Sequence, residues 1–172
     1  MTAAVEAAKV GLAVLVAAIL QVTIFAAIDI SGGGPDLLLV TLVGVALLRG
    51  PVVGACAGFF GGLVADVATL ETLGLTSLVL TIAGYWIGRY GETTGRDRAH
   101  APVLSVVVVT ILYTAGAFVL HFVLGDEVSA RRALVTSMPP TILFNVLVTV
   151  PVYAVVRRFL RAGEGGMVRV LA

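Results

Sequence analysis

Apolar residues dominate this chain in six blocks, each closed by glycine, proline or charge. They run from Val10 to Ile28, Leu37 to Leu48, Val52 to Leu70, Leu75 to Gly88, Val103 to Leu124 and Ser137 to Val156. None shows the strict alternation of a half-buried strand, and most reach the ~17–25 residues that cross a bilayer as a helix. The second and fourth blocks are short of that length. A short block is accommodated by thinning the bilayer, by snorkelling, or by lying inside a bundle. The first block exceeds the ~7–15 apolar residues of a secretory signal and reads as a retained helix.

The punctuation between blocks is legible. "SGGGPD" is a flexible turn in which Pro35 can open the second helix. "RGP", Arg49 to Pro51, is a tight turn that makes the second and third blocks an antiparallel hairpin. "GETTGRDRAHAP" is a polar loop, and "MVRVLA" ends the chain as a short interfacial or irregular stretch. Pro139 and Pro140 suit the first turn of the sixth helix, whereas Pro151 lies inside it and predicts a kink.

Composition turns apolar blocks into membrane spans. Of 172 residues, 59% are hydrophobic and 12% are charged, against ~25% charged in a soluble domain. Mean hydropathy is +1.10. So few polar groups cannot cover a globular surface, and the lipid bilayer is the expected solvent. The chain reads as a single integral membrane domain over residues 1–172, all-α, with six transmembrane helices. The formal charge of +1 gives no electrostatic footprint for nucleic acid. The single cysteine, Cys56, excludes an internal disulfide.

The charges set an orientation. With the N-terminus inside, Lys9, Arg49, Arg89, Arg96, Arg98, Arg157, Arg158, Arg161 and Arg169 are inside, and only Arg131 and Arg132, of 11 cations, are outside. The positive-inside rule therefore predicts N-in and C-in ends. Tyr85, Trp86 and Tyr90 then fall at the inner interface, as an aromatic belt requires. "RRFLR" reads as an anchor for anionic lipid, with docking of a cytoplasmic filament protein as its rival.

"GACAGFFGGLVAD", residues 54–66, is the most distinctive stretch. Gly54, Gly58 and Gly62 share one helix face, and Ala57, Gly61 and Ala65 form a second row. Lipid tails do not drive helices together, so close contact must, and small residues allow it. The third helix is therefore expected at the centre, approached on two sides. Packing within the bundle explains the rows most simply; a partner-binding surface of Gly54, Gly58, Gly62 and Asp66 is the sharper reading. Asp66 lies 15 residues past Pro51, roughly 22 Å from the inner turn. An acid at that depth caps, pairs with Arg131 or a polar neighbour, or docks a ligand or helix.

Other polar residues lie at similar depth: Gln21, Thr23, Thr76, Ser77, His121 and Asn145. Gln21, Asp66, Thr76, Ser77 and Asn145 define a candidate outward polar cavity, with scattered interhelical hydrogen bonds as the plainer reading. His121 fits an interfacial histidine better than a switch. No phosphate-binding glycine loop, zinc-helix motif or serine elbow is present. His100 and His121 fall on opposite sides of the membrane. No enzymatic activity, metal or cofactor is expected.

The 54 residues from Pro35 to Gly88, with Arg89, bring several features together. Pro35-Asp36 opens a leucine-rich helix, Arg49-Gly50-Pro51 makes the turn, and "GFFGGLVAD" ends in Asp66. Leu73-Gly74 precedes the next helix, which ends in Gly84-Tyr85 and Gly88-Arg89. In order and spacing this resembles the rod shape-determining protein MreD family, departing at Thr76, where many members carry asparagine. The resemblance implies a multi-pass protein of the bacterial cytoplasmic (inner) membrane, similar in fold to the substrate-binding subunit of energy-coupling-factor transporters. It implies a non-catalytic scaffold of the cell-elongation complex that binds MreC, a single-span protein with a periplasmic domain. Through MreC it would connect to MreB, RodA and PBP2 and help organise peptidoglycan synthesis. The rival reading is a substrate-binding subunit of a vitamin transporter, but the outer loops here are short and poor in ligand-binding residues.

Overall fold

The computed structural model describes residues 3–24, 33–70, 72–94, 100–125 and 137–161. They form six helices: α1 (Ala3–Thr23), α2 (Leu37–Arg49), α3 (Pro51–Thr69), α4 (Leu75–Thr94), α5 (Ala101–Leu124) and α6 (Met138–Arg161). Of these, α1, α3, α5 and α6 are long and apolar enough to cross a membrane, while α2 is a shorter apolar helix.

Several helices outrun their apolar blocks at the charged end. The first begins at Ala3, because the alanine-rich stretch around Glu6 and Lys9 favours helix without being apolar. The fourth continues to Thr94 through the Arg89–Glu92 ion pair at 3.2 Å. The sixth continues through Arg157 and Arg158 to Arg161, cations that suit the negative end of a helix. It also runs through Pro151 as one helix. Pro139 and Pro140 sit in its first turn. The expected extension of the first helix to Ile28 falls on residues outside those described.

The centre of the bundle is α2, not α3. Every residue from Leu37 to Leu47 is buried. Leu38, Leu42 and Val45 pack with α1, α3 and α6 residues such as Val14, Ala57 and Leu160. Leu39, Val43 and Leu47 pack with Ala83, Ile87, Val106 and Val109 of α4 and α5. A helix apolar on all sides is a core helix, and 13 residues give only about 20 Å of length. The third helix, expected at the centre from its small residues, instead turns Phe59, Phe60 and Val52 outward.

Those small residues do bring two sides close. Gly54, Gly58 and Gly62 face α4, and a side chain at any of them would strike α4 backbone: the Gly84 carbonyl, the Leu80 carbonyl and Ser77 Cα. The contact is reciprocal. Gly84 meets the Gly54 carbonyl, and Gly88 meets Pro51. On the other row, a Cβ at Gly61 would lie 2.7 Å from Val14 of α1 and 3.1 Å from Leu38 of α2. At the turn between α2 and α3, Gly50 has φ of +91°, a conformation that a Cβ disfavours, and joins α2 to the proline that starts α3.

Gly58→Ala should therefore destabilise the purified protein by about 1–3 kcal/mol, as overpacking does. Gly11, with open space around it, is the control: Gly11→Ala should be neutral or stabilising by about 0.5–1 kcal/mol. Thermal unfolding in detergent micelles compares the two. Equal effects would contradict the packing described.

Candidate functional site

The α3–α4 seam delivers Asp66 to the start of α4. The residue before that helix is Gly74, which has φ of +91° and no side chain with which to cap. Asp66 supplies the missing cap from across the seam. Its Oδ2 accepts from the Gly74 N–H at 2.8 Å and the Ser77 N–H at 3.3 Å, and its Oδ1 from the Thr76 N–H at 3.1 Å. First-turn N–H groups have no partner inside their own helix, and a helix N-terminus attracts negative charge. The Ser77 hydroxyl completes the junction by donating to the Phe59 carbonyl at 2.9 Å. Asp66 is fully buried. Thr76 enters the cap through its backbone, so threonine in place of asparagine leaves this bond unchanged.

A second cap sits at the start of α2. Asp36 is its own N-cap, its Oδ1 accepting from the Leu39 N–H at 2.9 Å. Gln21 of α1 accepts from the Leu37 N–H at 2.6 Å and donates to the Pro35 carbonyl at 3.3 Å. From α6, Asn145 Oδ1 accepts the Asp36 N–H at 2.6 Å, while its Nδ2 donates to Thr110 Oγ1 of α5 at 2.9 Å. Thr149 donates back to the Asn145 carbonyl. Four helices thus meet at one helix start, and Asn145 and Thr110 are fully buried.

The five residues grouped as an outward cavity therefore bond in two sets: Gln21 and Asn145 at α2, and Asp66, Thr76 and Ser77 at α4. Gly54, Gly58, Gly62 and Asp66, named as a partner surface, all face α4 within the chain. On that face, α4 backbone lies against all three glycines, and Asp66 bonds to the start of α4. Asp36 and Thr110 were not singled out as cluster members. An aspartate before a leucine run is an N-terminal signal, but a threonine among valines carries none. The Arg131 pairing and the side chain of His121 lie outside the described residues, as does the C-terminal stretch.

At the opposite end, Arg49 joins three helices. Its Nη1 pairs with Glu6 of α1 at 3.2 Å, and its Nη2 donates to the Leu160 carbonyl near the end of α6 at 2.8 Å. A planar, multi-donor guanidinium suits such a junction. Among the described residues, no three His, Cys, Asp or Glu side chains gather as metal ligands. Chemically, both sites do the same work: they satisfy helix ends.

Asp66→Ala should lower unfolding stability by about 2–3 kcal/mol, since it strands several buried N–H groups. Asp66→Asn keeps one acceptor oxygen and should lose about half as much. Unfolding of the purified protein in detergent would measure both, and an alanine variant as stable as the parent would exclude the cap.

Comparison with known proteins follows the same stretch of chain. A family model described as rod shape-determining protein MreD matches residues 7–162. The cell shape-determining protein MreD of Streptococcus pneumoniae (strain ATCC BAA-255 / R6) is 29% identical over 90 residues, 52% of this chain and 54% of that protein. The match thus spans about half of that relative's length. No solved structure matches the chain. With a family model that runs from the first turns of α1 to just past the end of α6, the chain belongs to the rod shape-determining protein MreD family.

Proposed function

We propose that this protein acts in cell-shape determination as a non-catalytic scaffold of the cytoplasmic membrane. The family match over residues 7–162 carries the reading. The bundle is consistent with it, because Asp36, Asp66, Gln21 and Asn145 each accept from N–H groups at the start of a helix. In this reading the protein crosses the membrane several times, with both termini on the cytoplasmic side. Lys9, Arg49, Arg89, Arg157, Arg158 and Arg161 belong to the ends of helices that would then face inward. The scaffold binds MreC through its single transmembrane helix. Through MreC it connects with MreB, RodA and PBP2 and helps organise peptidoglycan synthesis. Gly54, Gly58, Gly62 and Asp66 act on that assembly by holding α3 and α4 as one rigid pair.

Cells depleted of their own copy should lose rod shape and regain it on expression of this chain. The affinity-purified protein should carry MreC, whereas co-purification of an ATPase pair without MreC would support the transporter reading instead. A fluorescent protein fused to the C-terminus should fluoresce, and alkaline phosphatase fused there should be inactive. The reverse pattern would overturn the orientation.

A further inference from the structure

The basic end of α6 borders a cleft outside the glycine seam, which touches the α2 cap cluster only at Thr149. It lies between α5 and α6 and encloses about 680 Å³. Pro102 of α5 and Val150, Tyr153 and Ala154 of α6 form its walls, and Arg157, Arg158 and Arg161 line its charged end.

Its length distinguishes between occupants. The lining runs along α6 from Thr149 to Arg161, twelve residue steps or about 18 Å of helix. A spanning helix needs the full ~30 Å hydrocarbon core, whereas one leaflet supplies ~15 Å. The cleft therefore matches a molecule that enters from one interface and stops near the bilayer centre. Its chemistry is graded in the same direction, with guanidinium groups at the mouth and aliphatic and aromatic surface below. Arginine matches phosphate geometry through its planar, forked donors. At this end of the bundle, Glu6 pairs with Arg49 and Glu92 with Arg89.

We infer that this cleft is a binding site for an anionic glycerophospholipid. Its phosphate meets Arg157 and Arg158, and one acyl chain lies between α5 and α6. The inference requires only that the helices cross a bilayer and is independent of any protein partner. Cations placed merely to suit a helix C-terminus need no cleft, so a change of shape that leaves charge intact separates the two explanations. Arg161 is engaged within the chain, so the test rests on its two neighbours.

The purified full-length protein, delipidated in detergent, is titrated with dioleoyl phosphatidylglycerol or dioleoyl phosphatidylcholine and read by native mass spectrometry. Each arginine should contribute about fivefold to anionic-lipid retention, the equivalent of ~1 kcal/mol. The pair should therefore favour phosphatidylglycerol by about 25-fold. Arg157→Gln with Arg158→Gln should abolish that preference while lowering retention of the zwitterionic phosphatidylcholine far less, whereas Arg157→Lys with Arg158→Lys should keep the part due to charge and lose the part due to the forked donors. Ala154→Trp, with every charge in place, should also reduce phosphatidylglycerol retention, and Val150→Trp tests the same chain path at greater depth. Inorganic phosphate in millimolar excess should not displace the lipid. Equal retention of the two lipids, a preference that survives the glutamine pair, phosphatidylglycerol retention unchanged by both tryptophans, or displacement by phosphate would overturn the site.

Discussion

Water cannot reach the interior of a bilayer to satisfy the free N–H groups at the start of a helix, so the protein must do so. This constraint organises the bundle. At 13 residues, α2 is too short to span the hydrocarbon core, so one of its ends must be satisfied within the protein. It begins at Asp36, about 20 Å along the helix from Arg49. Leu75 of α4 lies at a comparable height, because Gly88 packs on Pro51 at the α2–α3 turn and lies 13 positions after Leu75. An aspartate serves each start. One caps its own helix, and the other reaches across from α3, because the residue before α4 is a glycine.

Cap and seam depend on each other. Asp66 reaches the Gly74, Thr76 and Ser77 N–H groups only because α3 and α4 lie in backbone contact along Gly54, Gly58 and Gly62. The seam in turn has few side chains to interlock, so it gains register from a bond at its end. Apolar burial alone would fix neither, since lipid solvates leucine as well as protein does. The central α2 gains its direction in the same way. Its N-terminal end is held by Gln21, Asp36 and Asn145, and Arg49 holds its C-terminal end to Glu6 and to the Leu160 carbonyl. Between those polar clamps, its surface is almost uniformly apolar and could pack in several registers.

The amino-acid sequence shows most of the helices because apolar blocks and their breakers are local properties. Arg49-Gly50-Pro51 specifies a turn through a positive φ and a proline that needs no donor. The glycine rows likewise specify close approach, since no larger residue permits it. Hydropathy cannot specify which apolar helix is central, because lipid and protein core favour the same residues. That is why α3, with its small residues, was expected where α2 lies. Depth placed Gln21, Asp66, Thr76, Ser77 and Asn145 at similar heights, but depth carries no azimuth. Their division between two helix starts follows from helix rotation, which only packing determines. Thr110 is the extreme case: one hydroxyl in a run of valines, meaningful only once Asn145 faces it.

The two ends of the bundle differ in what remains for other molecules. At the start of α2 and α4, Gln21, Asp66 and Asn145 are bonded to backbone, and Asn145 also to Thr110. At the other end, Arg157 and Arg158 are exposed beside an open cleft, while Arg49 is held within. A bundle built this way is tied together where α2 and α4 begin and positively charged where α6 ends. Among the described residues, Gln21, Asp36, Asp66 and Asn145 of the first end are already committed, so what their surroundings offer a partner is shape. Recognition at the basic end can rely on charge, which acts over about 8–10 Å before salt screens it. That reach is enough to gather anionic headgroups around the bundle.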